Sequence, residues 1–259
     1  MNILKELIED LNKDKEIMKS FNKKDSLPIE LFDKIGNSFK LKSDIREKLL
    51  EITNSFLDFI KIDFFIFDVH LTGSLANYNW SKYSDVDIHI IYDINEFMSN
   101  DEESKIYEEI IDEFFQSKKK YWNLTRNIKI KGYDVELYVQ DINQKFLSTG
   151  VYSVLNDEWV IEPEKLKTPF NIDEKKILQK SNEFAKQIDS LINSSDKDVI
   201  KQIDNIKTKL KKFRQSGLEQ GGEYSYENLT FKLLRRNGYI EKLMALRSKV
   251  LDKELSIRQ

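Results

Sequence analysis

The chain contains no cysteine, so it has no disulfide, no thiolate metal site and no cysteine nucleophile. Histidine is nearly as scarce: His70 and His89 are the only two, too few for a histidine-built metal cluster. No apolar run approaches the length of a membrane span. The N-terminal MNILKELIEDLNKDKE mixes acids and bases along an amphipathic helical pattern and lacks the apolar core of a signal peptide. A soluble, cytoplasmic protein with no membrane partner is therefore expected. Neither sign of charge dominates, since 42 Lys and Arg face 45 Asp and Glu for a net −3. That balance argues against one broad basic face for long duplex nucleic acid, but it permits a local basic groove. What is present, 40% hydrophobic and 12% aromatic residues over 259 positions, is enough for one large core or two modest ones and excludes a disordered chain.

The stretch from Leu71 to Tyr92, LTGSLANYNWSKYSDVDIHIIY, carries the chemistry. The apolar, β-rich FFIFDVHLT before it suits a buried strand. Gly73 then lets the chain turn sharply and brings backbone close to a ligand. Ser74 adds a hydroxyl beside the N–H groups of Leu75 and Ala76. A helix starting there would offer free N–H groups and a positive dipole end to a phosphate. In DVDIHII the side chains alternate, which projects Asp85 and Asp87 to one face, with His89 one step deeper. Two adjacent carboxylates repel unless a cation lies between them, and hard oxygen ligands suit Mg²⁺. His89 reads either as a neighbour of that metal site or as a structural histidine. Asn77, Tyr78, Trp80 and Lys82 occupy the intervening loop, where they either face a nucleotide or, for Trp80, plug the packing.

Gly73-Ser74 followed after a short interval by Ser84-Asp85-Val86-Asp87 resembles the signature of the polymerase-beta-type nucleotidyltransferases. The resemblance implies an α+β nucleotidyltransferase fold, a mixed β-sheet flanked by helices, over roughly residues 45 to 165. It also implies an NTP substrate such as ATP, divalent Mg²⁺ or Mn²⁺, phosphate contacts at Gly73 and Ser74, and a third carboxylate on a later strand. RNIKIKGYDVELYVQD reads as a hairpin about Gly132-Tyr133 and carries Asp134 and Glu136 on one face. Glu136, set between apolar residues, is expected to join Asp85 and Asp87 as catalytic and metal-holding groups, with Asp134 as the alternative.

Around this core the periodicities sketch the remaining chain. Residues 1–42 are expected as an N-terminal helical extension, with a first helix to about residue 22 and a short helical piece after Pro28 containing Leu31 and Phe32. Ser43-Asp44 is the expected N-cap of a helix carrying Ile45, Leu49, Ile52, Phe56 and Phe59. Tyr107, Ile110, Ile111, Phe114 and Phe115 mark another helix. LSTGVYSVLNDEWVIEP reads as a turn, a strand and a hairpin with Asn156-Asp157 at its tip. Its Ser148, Thr149 and Gly150 either line the site or simply turn the chain. Pro163 and Pro169 bracket a break, so the catalytic domain is expected over 43–165 and a C-terminal helical domain over 166–259. There Ile177, Phe184, Ile188 and Leu191 share one face, and Val199, Ile203, Ile206, Leu210 and Phe213 repeat at near-heptad spacing. A final helix is expected from the run starting at Tyr224, capped or kinked at Asn237-Gly238.

A flexible loop is expected over Gly217 to Gly222, flanked by cations, and Lys212, Arg214 and Arg235 are candidates to meet the triphosphate. The alternative for these residues is a solvated helix surface. The expected reaction is transfer of an NMP from an NTP to a hydroxyl-type acceptor, a small molecule, a protein or an RNA end. The competing readings are a catalytically inactive module that holds nucleotide or RNA, and an enzyme that adds nucleotides to RNA 3′ ends.

Overall fold

The structure is a computed structural model that describes residues 12–97, 104–145, 148–165, 172–192, 194 and 198–257. It divides into two compact units, one over Lys23–Lys167 and one made of the segment up to Asn22 with the chain from Thr168. The N-terminal extension expected over 1–42 is thus shared between them. Residues 12–19 are helical, and the first part of the expected N-terminal helix lies outside the described residues.

In the first unit, β1 (Phe32–Ile35) and β2 (Ser38–Leu41) form an antiparallel hairpin in which Phe32 faces Leu41. The short helical piece expected at Leu31 and Phe32 is therefore wrong, because Gly36-Asn37 is a two-residue hairpin turn with Gly36 at φ +61°. Helix α1 (Ser43–Ile60) follows with Ile45, Leu49, Ile52 and Phe56 buried, while Phe59 stays partly exposed. Its N-cap is Lys42, which makes no side-chain cap bond, so neither Ser43 nor Asp44 caps it.

The main sheet runs β5-β6-β4-β3-β7-β8. Strand β3 (Asp68–Thr72) is antiparallel to β4 (Val86–Tyr92), and β4 is parallel to β6 (Tyr133–Asp141). Parallel neighbours need a crossover, supplied by α2 (Ser104–Thr125). Phe115 and Trp122 of α2 are buried, whereas Tyr107 and Ile110, expected on its apolar face, are exposed. β5 (Lys129–Ile130) and β6 are joined by Lys131 and Gly132, both at positive φ, as a two-residue hairpin requires. β7 (Val151–Ser153) and β8 (Glu158–Ile161) complete the other edge.

Alternation gives this sheet two unlike faces. One carries Val69, Leu71, Val86, Ile88, Ile90, Leu137, Val139 and Tyr152, which join Leu49, Phe56 and Trp122 in a single apolar core. The other carries Asp68, His70 and Thr72 of β3, Asp87 and His89 of β4, and Glu136, Tyr138 and Gln140 of β6. Because β5 is short, Leu137 lies beyond its end, and the side-chain amide of Asn123 on α2 takes the place of a strand. It donates to the Leu137 carbonyl at 3.0 Å and accepts from the Leu137 N–H at 3.1 Å. Asn123→Ala is expected to leave both groups unpaired beside a fully buried residue and to cost about 2 kcal/mol. A urea denaturation midpoint equal to that of the parent would contradict this.

The second unit is helical: α3 (Glu174–Ile192), α4 (Val199–Gly221), α5 (Tyr226–Arg236) and α6 (Tyr239–Leu255). Phe184, Ile188, Leu191, Val199, Ile203, Leu210, Leu234 and Leu243 share one core. The long last helix is instead two, separated at Asn237-Gly238 with Gly238 at φ +80°. The flexible loop over 217–222 is also wrong, since α4 continues through Gly217 to Gly221. A Cβ on Gly217 would lie 2.5 Å from Glu227 Cβ and 2.7 Å from Ser225 Oγ, so this glycine serves close helix contact. Among the described residues no helix is long and apolar enough to cross a membrane.

Candidate active site

Three strands deliver the candidate residues to one end of the polar sheet face. Because β3 and β4 are antiparallel, the end of one meets the start of the other, and Thr72 lies opposite Asp87. Because β4 and β6 are parallel, Asp87 lies beside Glu136 on the other flank, at a strand spacing of about 4.8 Å. Asp85 sits just before β4, two residues from Asp87, half-buried as Asp87 is. Asp134, the alternative third carboxylate, faces Lys129 across the β5–β6 hairpin and pairs with its ammonium at 2.5 Å, well exposed.

Gly73 follows Thr72 with φ +72° and ψ −159°, a region essentially closed to residues with a side chain. A Cβ there would lie 1.9 Å from Asp87 Oδ2, so the Asp87 carboxylate rests directly against the Gly73 backbone. The short helical or looping stretch expected after Gly73 is a 3₁₀ turn over Ser74–Ala76, too short for an appreciable dipole. Anion binding at this turn rests on its backbone N–H groups and the Ser74 hydroxyl.

The turn is braced from two sides. Ser74 Oγ donates to Ser84 Oγ at 2.7 Å, and Ser84 Oγ also accepts from the Ser81 N–H, which ties the two halves of the motif together. Asn77, nearly buried, donates to the Gly73 carbonyl at 3.1 Å and to Ser148 Oγ at 3.3 Å, and accepts from Thr149 Oγ1 at 2.9 Å. Gly150 completes this brace, for a Cβ on it would come within 2.1 Å of the Ala76 carbonyl oxygen. Ser148, Thr149 and Gly150 therefore support the turn from behind. Trp80 donates to the Ser26 carbonyl and Tyr78 packs edge-on against Phe39, so both are packing residues.

Deeper on the same face, the Tyr138 hydroxyl donates to Glu136 Oε2, and the Tyr138 ring stacks on His89. His89 Nδ1 lies 2.6 Å from Gln140 Oε1. Burial, with smaller electrostatic contributions from His70 and Lys119, outweighs that hydrogen bond and holds the His89 pKa below its usual value, so the imidazole is neutral near pH 7. Burial and the negative charges of Asp87, Glu136 and Asp85 push the Tyr138 phenol far up, keeping it a hydrogen-bond donor. Burial lowers the Lys119 ammonium against the opposing pull of Glu136 and Asp112.

The donor set suits a hard divalent cation: three carboxylates at one strand end, two of them in direct register. Among the described residues, no group of three or more His, Asp or Glu side chains is drawn together closely enough to hold a metal. The Glu136 side chain is instead engaged by the Tyr138 hydroxyl.

The candidate cations belong to the helical unit. Lys212 and Arg235 are exposed on α4 and α5, and Arg214 donates to Asn228 Oδ1 at 3.2 Å with its guanidinium over Phe231. Sequence reasoning placed Ser84 in the motif without giving it a role, and missed Lys119, Asn123 and Tyr138. Ser84 adjoins the Asp-x-Asp pair and Tyr138 recurs two residues after Glu136, so only these two carried a local signal.

One family model, described as nucleotidyltransferase domain, matches residues 46–153. The matched span begins in α1 and ends with β7, and it contains every strand that bears a candidate carboxylate. No curated protein and no solved structure matches the chain.

Proposed function

We propose that the protein transfers an NMP from an NTP to a hydroxyl-type acceptor and releases pyrophosphate, a reading supported by the match of residues 46–153 to the nucleotidyltransferase domain model. The observation that supports this best is the alignment Thr72–Asp87–Glu136 across three adjacent strands, with Gly73 folded against the Asp87 carboxylate. Gly73 and Ser74 bind the β- and γ-phosphates through backbone N–H groups and a hydroxyl. Asp85, Asp87 and Glu136 would hold Mg²⁺ or Mn²⁺, which when bound neutralises the triphosphate and lowers the pKa of the acceptor hydroxyl.

The acceptor oxygen forms a bond to the α-phosphorus as the bond from that phosphorus to the β-bridging oxygen breaks. Pyrophosphate departs, and the hydroxyl proton passes to solvent, because a carboxylate engaged as a ligand is a poor base. The rigid brace of Asn77, Ser84 and Gly150 keeps the phosphate-binding turn in place, so the residues contribute chiefly by position and charge.

The test is incubation with α-labelled NTPs and a divalent salt, with and without chelator. Chelator-sensitive release of pyrophosphate is expected. NTP binding without turnover over a broad range of acceptors would favour the inactive binding module. Asp134→Asn, which removes only an exposed ion pair with Lys129, is expected to keep turnover within about twofold and stability within about 0.5 kcal/mol. A large loss would transfer the role of Glu136 to Asp134.

A further inference from the structure

We propose that Tyr138 is a positioning residue for Glu136, its hydroxyl holding one oxygen of that carboxylate on the polar sheet face beside Asp87. The inference rests on the reading of Glu136 as the third metal-holding carboxylate. Glutamate is one methylene longer than the two aspartates, so it is the member of the set with most rotamer freedom to lose. An anchor for one of its oxygens removes that freedom. Tyr138 supplies one, with its hydroxyl 2.5 Å from Glu136 Oε2.

The anchor is itself fixed. Tyr138 and His89 are register neighbours on β6 and β4, and their rings stack at 4.7 Å between centroids with 18° between planes. The Lys119 ammonium lies 4.4 Å from the centroid of the Tyr138 ring. His89 is tied in turn to Gln140 at 2.6 Å. The chain Gln140–His89–Tyr138–Glu136 thus runs along the polar sheet face and ends on the carboxylate beside Asp87. With Oε2 held by the phenol, Oε1 is the oxygen left for an ion. Partners of this kind, which orient a ligand without touching the metal, change metal affinity and activity by about 10- to 100-fold when removed.

Tyr138→Phe keeps the ring, its stacking and its cation contact, and deletes only the hydrogen bond. Mn²⁺ binding to the purified full chain, followed through the electron paramagnetic resonance signal of free Mn²⁺ without nucleotide, is expected to weaken about 10- to 100-fold. In turnover, kcat is expected to fall by a similar factor with KM for the NTP unchanged. In a Glu136→Gln background the same substitution is expected to add nothing, since the carboxylate it positions is no longer present as an ion ligand; a merely structural role would lower both backgrounds alike. Wild-type Mn²⁺ affinity and kcat in Tyr138→Phe, with Glu136→Gln impaired, would overturn the inference and leave Glu136 in its role. Additive losses in the double variant would also overturn it. Wild-type metal binding and turnover in Glu136→Gln would remove the reading of Glu136 and this inference with it.

Discussion

Asp87→Asn is expected to lower NTP turnover by on the order of 10³-fold or more, equivalent to about 4 kcal/mol of transition-state stabilisation. Asp87 lies between Thr72 and Glu136 in the sheet and against the Gly73 backbone, and in the proposed reaction its carboxylate would help to hold the cation beside the triphosphate. Asparagine has nearly the same shape and preserves the strand, yet it offers one neutral carbonyl oxygen in place of a carboxylate. Folding should be little changed. Asp85, Asp87 and Glu136 gather like charge at one strand end, and removing one charge relieves repulsion. A melting temperature within a few degrees of the parent is therefore expected beside the lost activity. The measurement pairs thermal melting with pyrophosphate release. Retention of more than a tenth of the parent activity would mean that the reacting centre lies elsewhere.

Gly73→Ala should be nearly as damaging, for a different reason. The φ and ψ of this residue are essentially reserved for glycine, which by itself costs about 1–3 kcal/mol. The new methyl group would also lie 1.9 Å from Asp87 Oδ2, so the carboxylate must rotate away or the turn must open. Either response separates the turn proposed to bind phosphate from the carboxylate proposed to hold the metal. Turnover is expected to fall about 10²-fold or more, since misplacement by about 1 Å is enough for such a loss. Gly36→Ala is the control. Gly36 also has positive φ, but a Cβ there meets nothing within 4 Å, so it should cost stability and spare the reaction. Equal activity losses in the two variants would show that backbone strain, and not the contact with Asp87, sets the effect.

Much of the strand-bearing unit was legible in the sequence because its signals are local. Period-two alternation in DVDIHII places Asp85 and Asp87 on one face whatever surrounds them, and alternation on both sides of Gly132 signals the hairpin, whose turn is Lys131-Gly132, one residue before the Gly132-Tyr133 expected. The misreadings share a cause. Leu31 and Phe32 were assigned to a helix because an apolar pair after proline looks the same in either state, and the deciding Gly36-Asn37 turn lies downstream. Gly217 suggested a loop, yet it sits inside α4 because the start of α5 packs against it, a contact made across the fold. Tyr107 and Ile110 fit a helical stripe, but the core of the unit engages α2 through Phe115 and Trp122.

The linear sequence by itself determined the chemistry on offer: carboxylates without thiolates, two histidines, a glycine able to turn where no other residue can, and strands with one polar edge. Those properties depend on residue type and nearest neighbours alone. Only the tertiary structure decided the partners, because strand order and register join residues far apart in the chain. It set Glu136 rather than Asp134 beside Asp87, laid the Asp87 carboxylate on Gly73, and brought the Tyr138 hydroxyl to Glu136.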